Sequence, residues 1–443
     1  MQRIVIIGNG VAGITAARHI RKLSDDQITV ISGETDHFFS RTALMYIYMG
    51  HMKYENTKPY EDWFWTKNRI DLKRGWVKSV DFTKKEIELE GAESMAYDKL
   101  ILATGSQSNK FGWPGQDLNG VQGLYAYQDL ELMEENTKDV KQAVILGGGL
   151  IGVEMAEMLH SRHIPVTYLI REEHFWGNML PEEEATLIDG HLAKNGIDLR
   201  QETELEEILD DGNGRVKGIK TKSGEVIDCQ FVGLTVGVHP NIDLVKDSKV
   251  DTDRGILVDE NLQTSVPDVY AIGDCVQLRN PPSHRRPIEA VWYVGRMMGE
   301  TVAHTVTGNE TKYQPGVWFN SAKFFDIEYQ NYGTVLPVNP EGHSSFYWEC
   351  ADKEKCIKII YNEETLEVRG VNLFGIRNRH EIWNKWLVEK RPLDYVIANL
   401  PEANFDPEFF THWESEIQML FNGEFPDNQV SVRKKGFLEK LFA

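Results

Sequence analysis

Gly8-Asn9-Gly10-Val11-Ala12-Gly13 and Gly147-Gly148-Gly149-Leu150-Ile151-Gly152 both have the spacing G-x-G-x-x-G. The chemistry this spacing serves is the holding of a pyrophosphate. The first glycine permits a tight turn after a strand, the second lets the backbone approach the phosphates, and the third lets a helix pack closely on the strand. The phosphates then face a helix N-terminus, whose outward N–H groups and dipole favour negative charge. One such hexad is a weak signal. Two in one chain, roughly 140 residues apart, imply two dinucleotides.

Charged residues complete each site. Glu34 follows the second strand of the first unit and is placed to hold a ribose 2′-hydroxyl. Arg171 stands at the matching place in the second unit. An arginine there suits the 2′-phosphate of NADPH, while the adjacent Glu172 and Glu173 suit the ribose of NADH. Both nucleotides stay open, with a tilt toward NADPH.

The elements that must position these residues can be read around them. Residues 4–7 and 143–146 are apolar, strand-sized runs; a helical pattern follows each glycine turn, and second strands fall at 28–31 and 166–170. Those are two βαβ units, each predicting a parallel sheet with a right-handed crossover. From Pro315 onward the pattern changes. Aromatic-rich strands at 318–329, 346–349, 356–361 and 367–374 precede helical patterns at 381–389 and 407–421. This reads as a separate α+β domain. Its opening aromatics, Trp318, Phe319, Phe324 and Phe325, belong to a small core or lie over a cofactor edge, the core being the simpler reading. A polar stretch, 422–433, leads to a short basic amphipathic tail at 436–442. The expected fold class is α/β: two Rossmann-like dinucleotide-binding domains plus a C-terminal α+β domain.

Composition narrows the function classes. The net charge of −20 over 443 residues repels phosphate backbones and speaks against nucleic acid as a partner. No apolar run has the length of a transmembrane segment. Met1-Gln2-Arg3 runs straight into a strand without a leader, and four cysteines make no disulfide framework. The expected compartment is the cytoplasm.

Three further segments carry a resemblance to the two-dinucleotide-binding-domain flavoproteins, the pyridine nucleotide-disulphide oxidoreductase superfamily. Leu100-Ile101-Leu102-Ala103-Thr104-Gly105 is similar to the A-T-G segment where the chain leaves the flavin domain. Gly237-Val238-His239-Pro240 resembles the G-x-x-P segment that closes the NAD domain, with His239 in place of the usual arginine. Residues 264–275 match the second FAD motif throughout, ending Ile272-Gly273-Asp274-Cys275. The resemblance implies FAD and NAD(P)H as cofactors and an interrupted order. FAD-binding residues 1–115 come first, then NAD(P)-binding residues 116–243, FAD-binding residues 244–316 and a C-terminal interface domain, 317–443. It implies that Asp274, beside Gly273, bonds the flavin ribitol, and that Val77, Ala103, Thr104, Gly105 and Gly237 line the cofactor sites.

Phe39-Ser40-Arg41-Thr42-Ala43-Leu44 is similar to the Tyr-x-Arg-x-x-Leu stretch of ferredoxin, rubredoxin and nitrite reductase flavoproteins. That similarity implies that Arg41 meets the FAD phosphates or ribose and that Glu154 orients the nicotinamide. It also implies that Glu289-Ala290-Val291-Trp292 begins the helix covering the flavin ring, making Glu154 and Trp292 the catalytic candidates. The lysine that follows in ferredoxin reductases is absent; Met45-Tyr46 stand there. The stretch has no cysteine, and no C-x-x-C or C-x4-C occurs anywhere, so dithiol chemistry is not expected.

The function these features predict is an FAD-dependent NAD(P)H oxidoreductase serving a small ferredoxin- or rubredoxin-like protein. Docking an acidic partner needs local basic residues; the candidates are Arg279, His284, Arg285 and Arg286, and Arg377, Arg379 and His380. Two alternatives stand beside it: a quinone or small-molecule reductase, and a non-enzymatic sensing flavoprotein like apoptosis-inducing factor. A homodimer is compatible with each. No metal site is expected.

Overall fold

The computed structural model describes residues 1–91, 94–282, 285–405 and 412–431. His284 and the expected tail at 436–442 lie outside the described residues. The chain forms two compact units, Met1–Leu169 with Thr203–Pro315, and Ile170–Glu202 with Gly316–Ala443.

The first unit is built on two parallel sheets. Residues 4–7 of strand Arg3–Ile7 are buried, as a central parallel strand covered on both faces requires. The strand order is Val269–Ala271, Lys99–Leu102, Arg3–Ile7, Gln27–Ser32, Ile70–Arg74, all parallel. Helix Val11–Leu23 follows the first glycine turn, and helix Trp292–Val306 packs against it. The contact depends on small residues: a Cβ on Gly299 would stand 2.6 Å from the Ala12 carbonyl oxygen, and one on Gly295 would stand 3.3 Å from Val11. The N-termini of the two helices are thereby brought side by side.

The second sheet pairs Val166–Leu169, Ala143–Leu146, Phe231–Leu234 and Val121–Gln122 in parallel, with helix Leu150–Ser161 after the second glycine turn. A short antiparallel pair, Ser106–Ser108 with Val238–Pro240, ties together the segments following each sheet.

The second unit holds a five-stranded antiparallel sheet in the order Phe319–Phe324, Ile327–Gly333, Val368–Phe374, Cys356–Asn362, His343–Glu349. Helices His380–Val388, Leu393–Ala403 and Glu414–Glu424 supply Trp383, Trp386, Ile397 and Phe421 to its core. The single strand expected at 318–329 is two strands, because Phe325 turns the chain in the left-handed region at φ 55°. Phe324 and Phe325 are buried, in accord with the core reading. Helix Leu393–Ala403 was not expected; Pro392 precedes it and Pro401 lies in its last turn.

Residues 170–202, expected within the nucleotide-binding segment, cluster with the C-terminal sheet. Their helix Glu182–Lys194 reaches it through polar contacts. Asn372 donates to Glu184 at 2.7 Å, Lys358 pairs with Glu183 at 2.8 Å, and His191 lies 2.8 Å from Asp326. Among the described residues no helix is long and apolar enough to cross a membrane, and no group of three His, Cys, Asp or Glu could hold a metal ion.

Candidate functional site

The first glycine turn is shaped by contact on one side and space on the other. Gly8 adopts φ +115°, and a Cβ there would stand 2.0 Å from the Ala103 carbonyl oxygen, so the turn lies directly against the Ala103-Thr104-Gly105 segment. A Cβ on Gly13 would meet the Gly8 carbonyl oxygen at 2.1 Å, which fixes how closely helix and strand approach. Gly10, the N-cap, has open space where its side chain would be. The first helical bond runs from Ile14 N–H to Gly10 C=O, and the amides before it stand at the helix end, where an anion is favoured. Buried Asn9 donates to the Thr35 carbonyl at 2.9 Å and holds the loop that carries Glu34.

Glu34 and Arg41 come together. Arg41 places its two terminal nitrogens 2.8 and 2.6 Å from the Glu34 carboxylate oxygens, and Tyr127 N–H donates to the same carboxylate at 2.9 Å. The Arg41 guanidinium also lies over the Tyr125 ring, 4.5 Å from its centre, and donates to the Tyr125 carbonyl. The Tyr125 hydroxyl donates to Asp274 at 3.0 Å. Asp274 sits in the turn Gly273–Cys275, packed deep among protein atoms although part of its surface remains open. Burial raises its carboxyl above the ordinary value of 3.8, opposed by the Tyr125 bond and by the Arg41 charge. Glu34, Arg41, Tyr125 and Asp274 thus form one continuous polar chain.

The A-T-G segment is held from behind: Ala103 N–H donates to Ile7 at 2.8 Å, and Thr104 donates its hydroxyl to the Asn241 carbonyl at 2.7 Å. The Ser106 hydroxyl is buried with no partner among the described residues. Val77 begins the antiparallel strand Val77–Asp81.

The second glycine turn is built alike. The Tyr168 hydroxyl donates to the Gly147 carbonyl at 2.8 Å, and Gly152 leaves room for it, since a Cβ there would stand 1.9 Å from that oxygen. Gly149, the N-cap of Leu150–Ser161, again has open space, and Glu154 is half-buried in the helix that follows. Gly237 is pinned by Asn109, whose N–H donates to its carbonyl at 3.0 Å and whose side chain meets His239 at 2.7 Å. Arg171 is exposed and donates to Glu172 at 2.9 Å, so it is paired with one of the two glutamates expected to compete with it.

Trp292 stands at, and Glu289 just before, the start of the helix packed against the first glycine-turn helix. Trp292 is the first residue of its helix, edge-on to Tyr293. Glu289 is bound in two prongs by Arg285 at 2.7 and 2.6 Å, and both side chains are almost wholly buried. Arg285 is therefore no surface charge, contrary to its place among the docking candidates. Arg279 pairs with Asp251 at 2.6 Å, and Arg377 is forked onto Glu328. Tyr125 and Ser106 were missed by sequence reasoning. The only signal for Tyr125 is a Tyr-x-Tyr pair just before a helix.

The residues fit dinucleotides at both turns. Each has an N-cap glycine open toward a helix end, and the first has a recessed carboxylate beside it. Residues 2–299 match the family model described as pyridine nucleotide-disulphide oxidoreductase. A nitrite reductase [NAD(P)H] of Bacillus subtilis is 32% identical over 282 residues, 63% of this chain, but the chain spans only 35% of that protein. An NADH oxidase of Methanocaldococcus jannaschii is 30% identical over 403 residues, covering 84% of this chain and 87% of that one. A rubredoxin-NAD(+) reductase of Acinetobacter baylyi is 31% identical over 287 residues, 63% of this chain and 73% of its own. Among solved structures, a ferredoxin reductase from Rhodopseudomonas palustris shares the fold with a TM-score of 0.77 at 21% identity, over 92% of this chain and 96% of that one.

Proposed function

Because the chain belongs to the pyridine nucleotide-disulphide oxidoreductase family, we propose that it is an FAD-dependent oxidoreductase. In this reading it draws reducing equivalents from NAD(P)H and passes them to a small redox protein of the ferredoxin or rubredoxin kind. The observation that carries the reading is the recessed Asp274 carboxylate, held beside the first glycine turn in the compact unit that also contains the second turn. Bound FAD would supply the two-electron centre that accepts hydride from the reduced nicotinamide. The chain binds and orients. Amides at the first helix end hold the FAD phosphates, Asp274 takes a ribitol hydroxyl, and Glu34 with Arg41 holds the adenosine side. The second helix end holds the nicotinamide nucleotide, and Glu154 positions its reactive ring. No thiol is asked to act, since Cys229, Cys275, Cys350 and Cys356 are all buried. Four free cysteines suit a reducing compartment, which supports a cytoplasmic protein.

A second reading, a small-molecule acceptor, is favoured by one observation. Three of the seven basic residues expected to dock a partner are engaged within the chain: Arg285 is buried, while Arg279 and Arg377 carry acidic partners. The NADH oxidase similarity across most of the chain agrees with it. The test is acceptor reduction by the holoprotein against ionic strength, with a rubredoxin, a ferredoxin, a quinone and oxygen in turn. A protein acceptor docked by charge slows steeply with salt, because exposed pairs are screened within about 10 Å at 0.1 M. Turnover confined to quinone or oxygen, indifferent to salt, rejects the redox-protein reading. Purified protein without flavin absorbance rejects both.

A further inference from the structure

We propose that Tyr125 is a positioning residue of the flavin site, holding the Asp274 carboxylate through its hydroxyl and Arg41 through its ring and carbonyl. The proposal rests on the flavin reading above and extends it to a residue outside the glycine turns and both FAD motifs.

Tyr125 is itself held rigidly. Its N–H and that of Ala126 both donate to Asp129 at 2.8 Å, and the next amide, Tyr127, donates to Glu34. Three successive backbone amides are thus anchored on carboxylates at the start of helix Tyr127–Asn136. The hydroxyl is fixed as well. Ser106 N–H donates to it at 2.9 Å, so its own proton is directed to Asp274. Gly105 makes the approach feasible: it sits at φ +73°, and a Cβ there would stand 2.8 Å from the hydroxyl oxygen. Glycine in the A-T-G segment therefore serves Tyr125 as well as the turn.

The consequence concerns the carboxylate. Asp274 is faced by the Tyr125 hydroxyl and the Arg41 guanidinium, with the Cys275 thiol beside it. A buried carboxylate must be supplied with donors to stay ionised. Tyr125 provides one without occupying every lone pair, since a carboxylate has room for about four hydrogen bonds. Asp274 is left oriented and able to accept a further hydroxyl. Arg41, stacked on the same ring, carries the order through to Glu34.

The experiment is titration of apo-protein, prepared from holoprotein, with FAD from pH 5 to 9, for wild type, Tyr125→Phe, Asp274→Asn and the double variant. Tyr125→Phe keeps the ring and the carbonyl under Arg41 and removes only the hydroxyl. Its expected effect is a loss of FAD affinity of about tenfold at neutral pH, because the Asp274 carboxylate that takes the ribitol hydroxyl is no longer held in place or favoured as the ion. The pH profile of affinity should also move toward higher pH, because Asp274 loses a donor that favours its ionised form. In the Asp274→Asn background the same change should have little further effect. Tyr125→Ala, which also removes the platform under Arg41, should lose more; if it fails to fold, the phenylalanine cycle decides alone. Tyr125→Phe binding FAD within twofold of wild type with an unmoved profile, or losses that simply add in the double variant, overturns the role of Tyr125. Wild type that takes up no FAD overturns the flavin reading and this proposal together.

Discussion

Arg41 forks onto Glu34, with its terminal nitrogens 2.8 and 2.6 Å from the two carboxylate oxygens, in a pair less than one-third exposed on either side. Removing one member leaves the other charged in a poorly solvated place. Glu34→Gln and Arg41→Met should each destabilise the apo-protein by about 1–3 kcal/mol, and the double variant should lose clearly less than the sum. Urea denaturation of the four proteins gives the coupling. Strictly additive losses would mean that the pair is an ornament of the cleft.

Asp274→Ala should yield colourless protein. The expected weakening of FAD binding is about 10- to 100-fold, from the loss of a charged acceptor. The change should leave far-UV circular dichroism and the nucleotide-binding sheet intact, since Gly273–Cys275 is a turn at the edge of the first sheet. Flavin retained at wild-type occupancy after gel filtration would contradict the assignment.

Arg171 already has a partner in Glu172 at 2.9 Å. The expected preference for NADPH is therefore modest. Arg171→Ala should raise the NADPH constant for flavin reduction several-fold and leave NADH almost unchanged. Glu172→Gln should shift the preference further toward NADPH by releasing the guanidinium. Stopped-flow reduction with both nucleotides decides it; an unchanged NADPH constant in Arg171→Ala would remove the ribose-phosphate role.

Turnover should not need thiols. Burial pushes the Cys229 thiol up to about 12, and the Cys275 thiol donates to the Leu102 and Ile272 carbonyls. Neither offers a thiolate near neutral pH. A folded variant lacking all four cysteines should reduce ferricyanide within about tenfold of wild type, or ~1.4 kcal/mol of barrier. A larger loss would bring a cysteine into the mechanism.

Glu184 makes stability depend on pH. Its burial pushes the carboxyl up to about 8 from an ordinary 4.5, against the opposing bond from Asn372. Between those values the folded chain keeps a proton that the unfolded chain has released. Stability must then fall as pH rises from 4.5 to about 8, and level off above. Glu184→Gln keeps an acceptor for Asn372 and removes the titration, so it should flatten this slope and stabilise most near pH 8 and above. Urea midpoints across the range check it. Parallel curves for variant and wild type would show that Glu184 is not protonated when folded.

The glycine hexads, Asp274 and the strands around them were legible because each obeys a local rule. A strand, a turn with room for phosphate and a helix follow one another within a dozen residues, and spacing alone identifies them. The absence of a cysteine pair was equally plain in the chain. What the sequence could not determine was which side chains meet. Glu34 and Arg41 were each assigned to the cofactor separately, and only the folded chain pairs them. Tyr125 lies 149 residues from Asp274, and no periodicity relates the two. Arg285 looked like a surface charge until burial matched it to Glu289. Residues 182–194 fall within the expected nucleotide-binding segment, yet Glu184 reaches Asn372 across 188 residues. Local sequence sets backbone conformation through steric and capping preferences that act over a few residues. Partners for buried charges are chosen by packing, which brings distant residues together and leaves each charge to be matched by whichever group arrives.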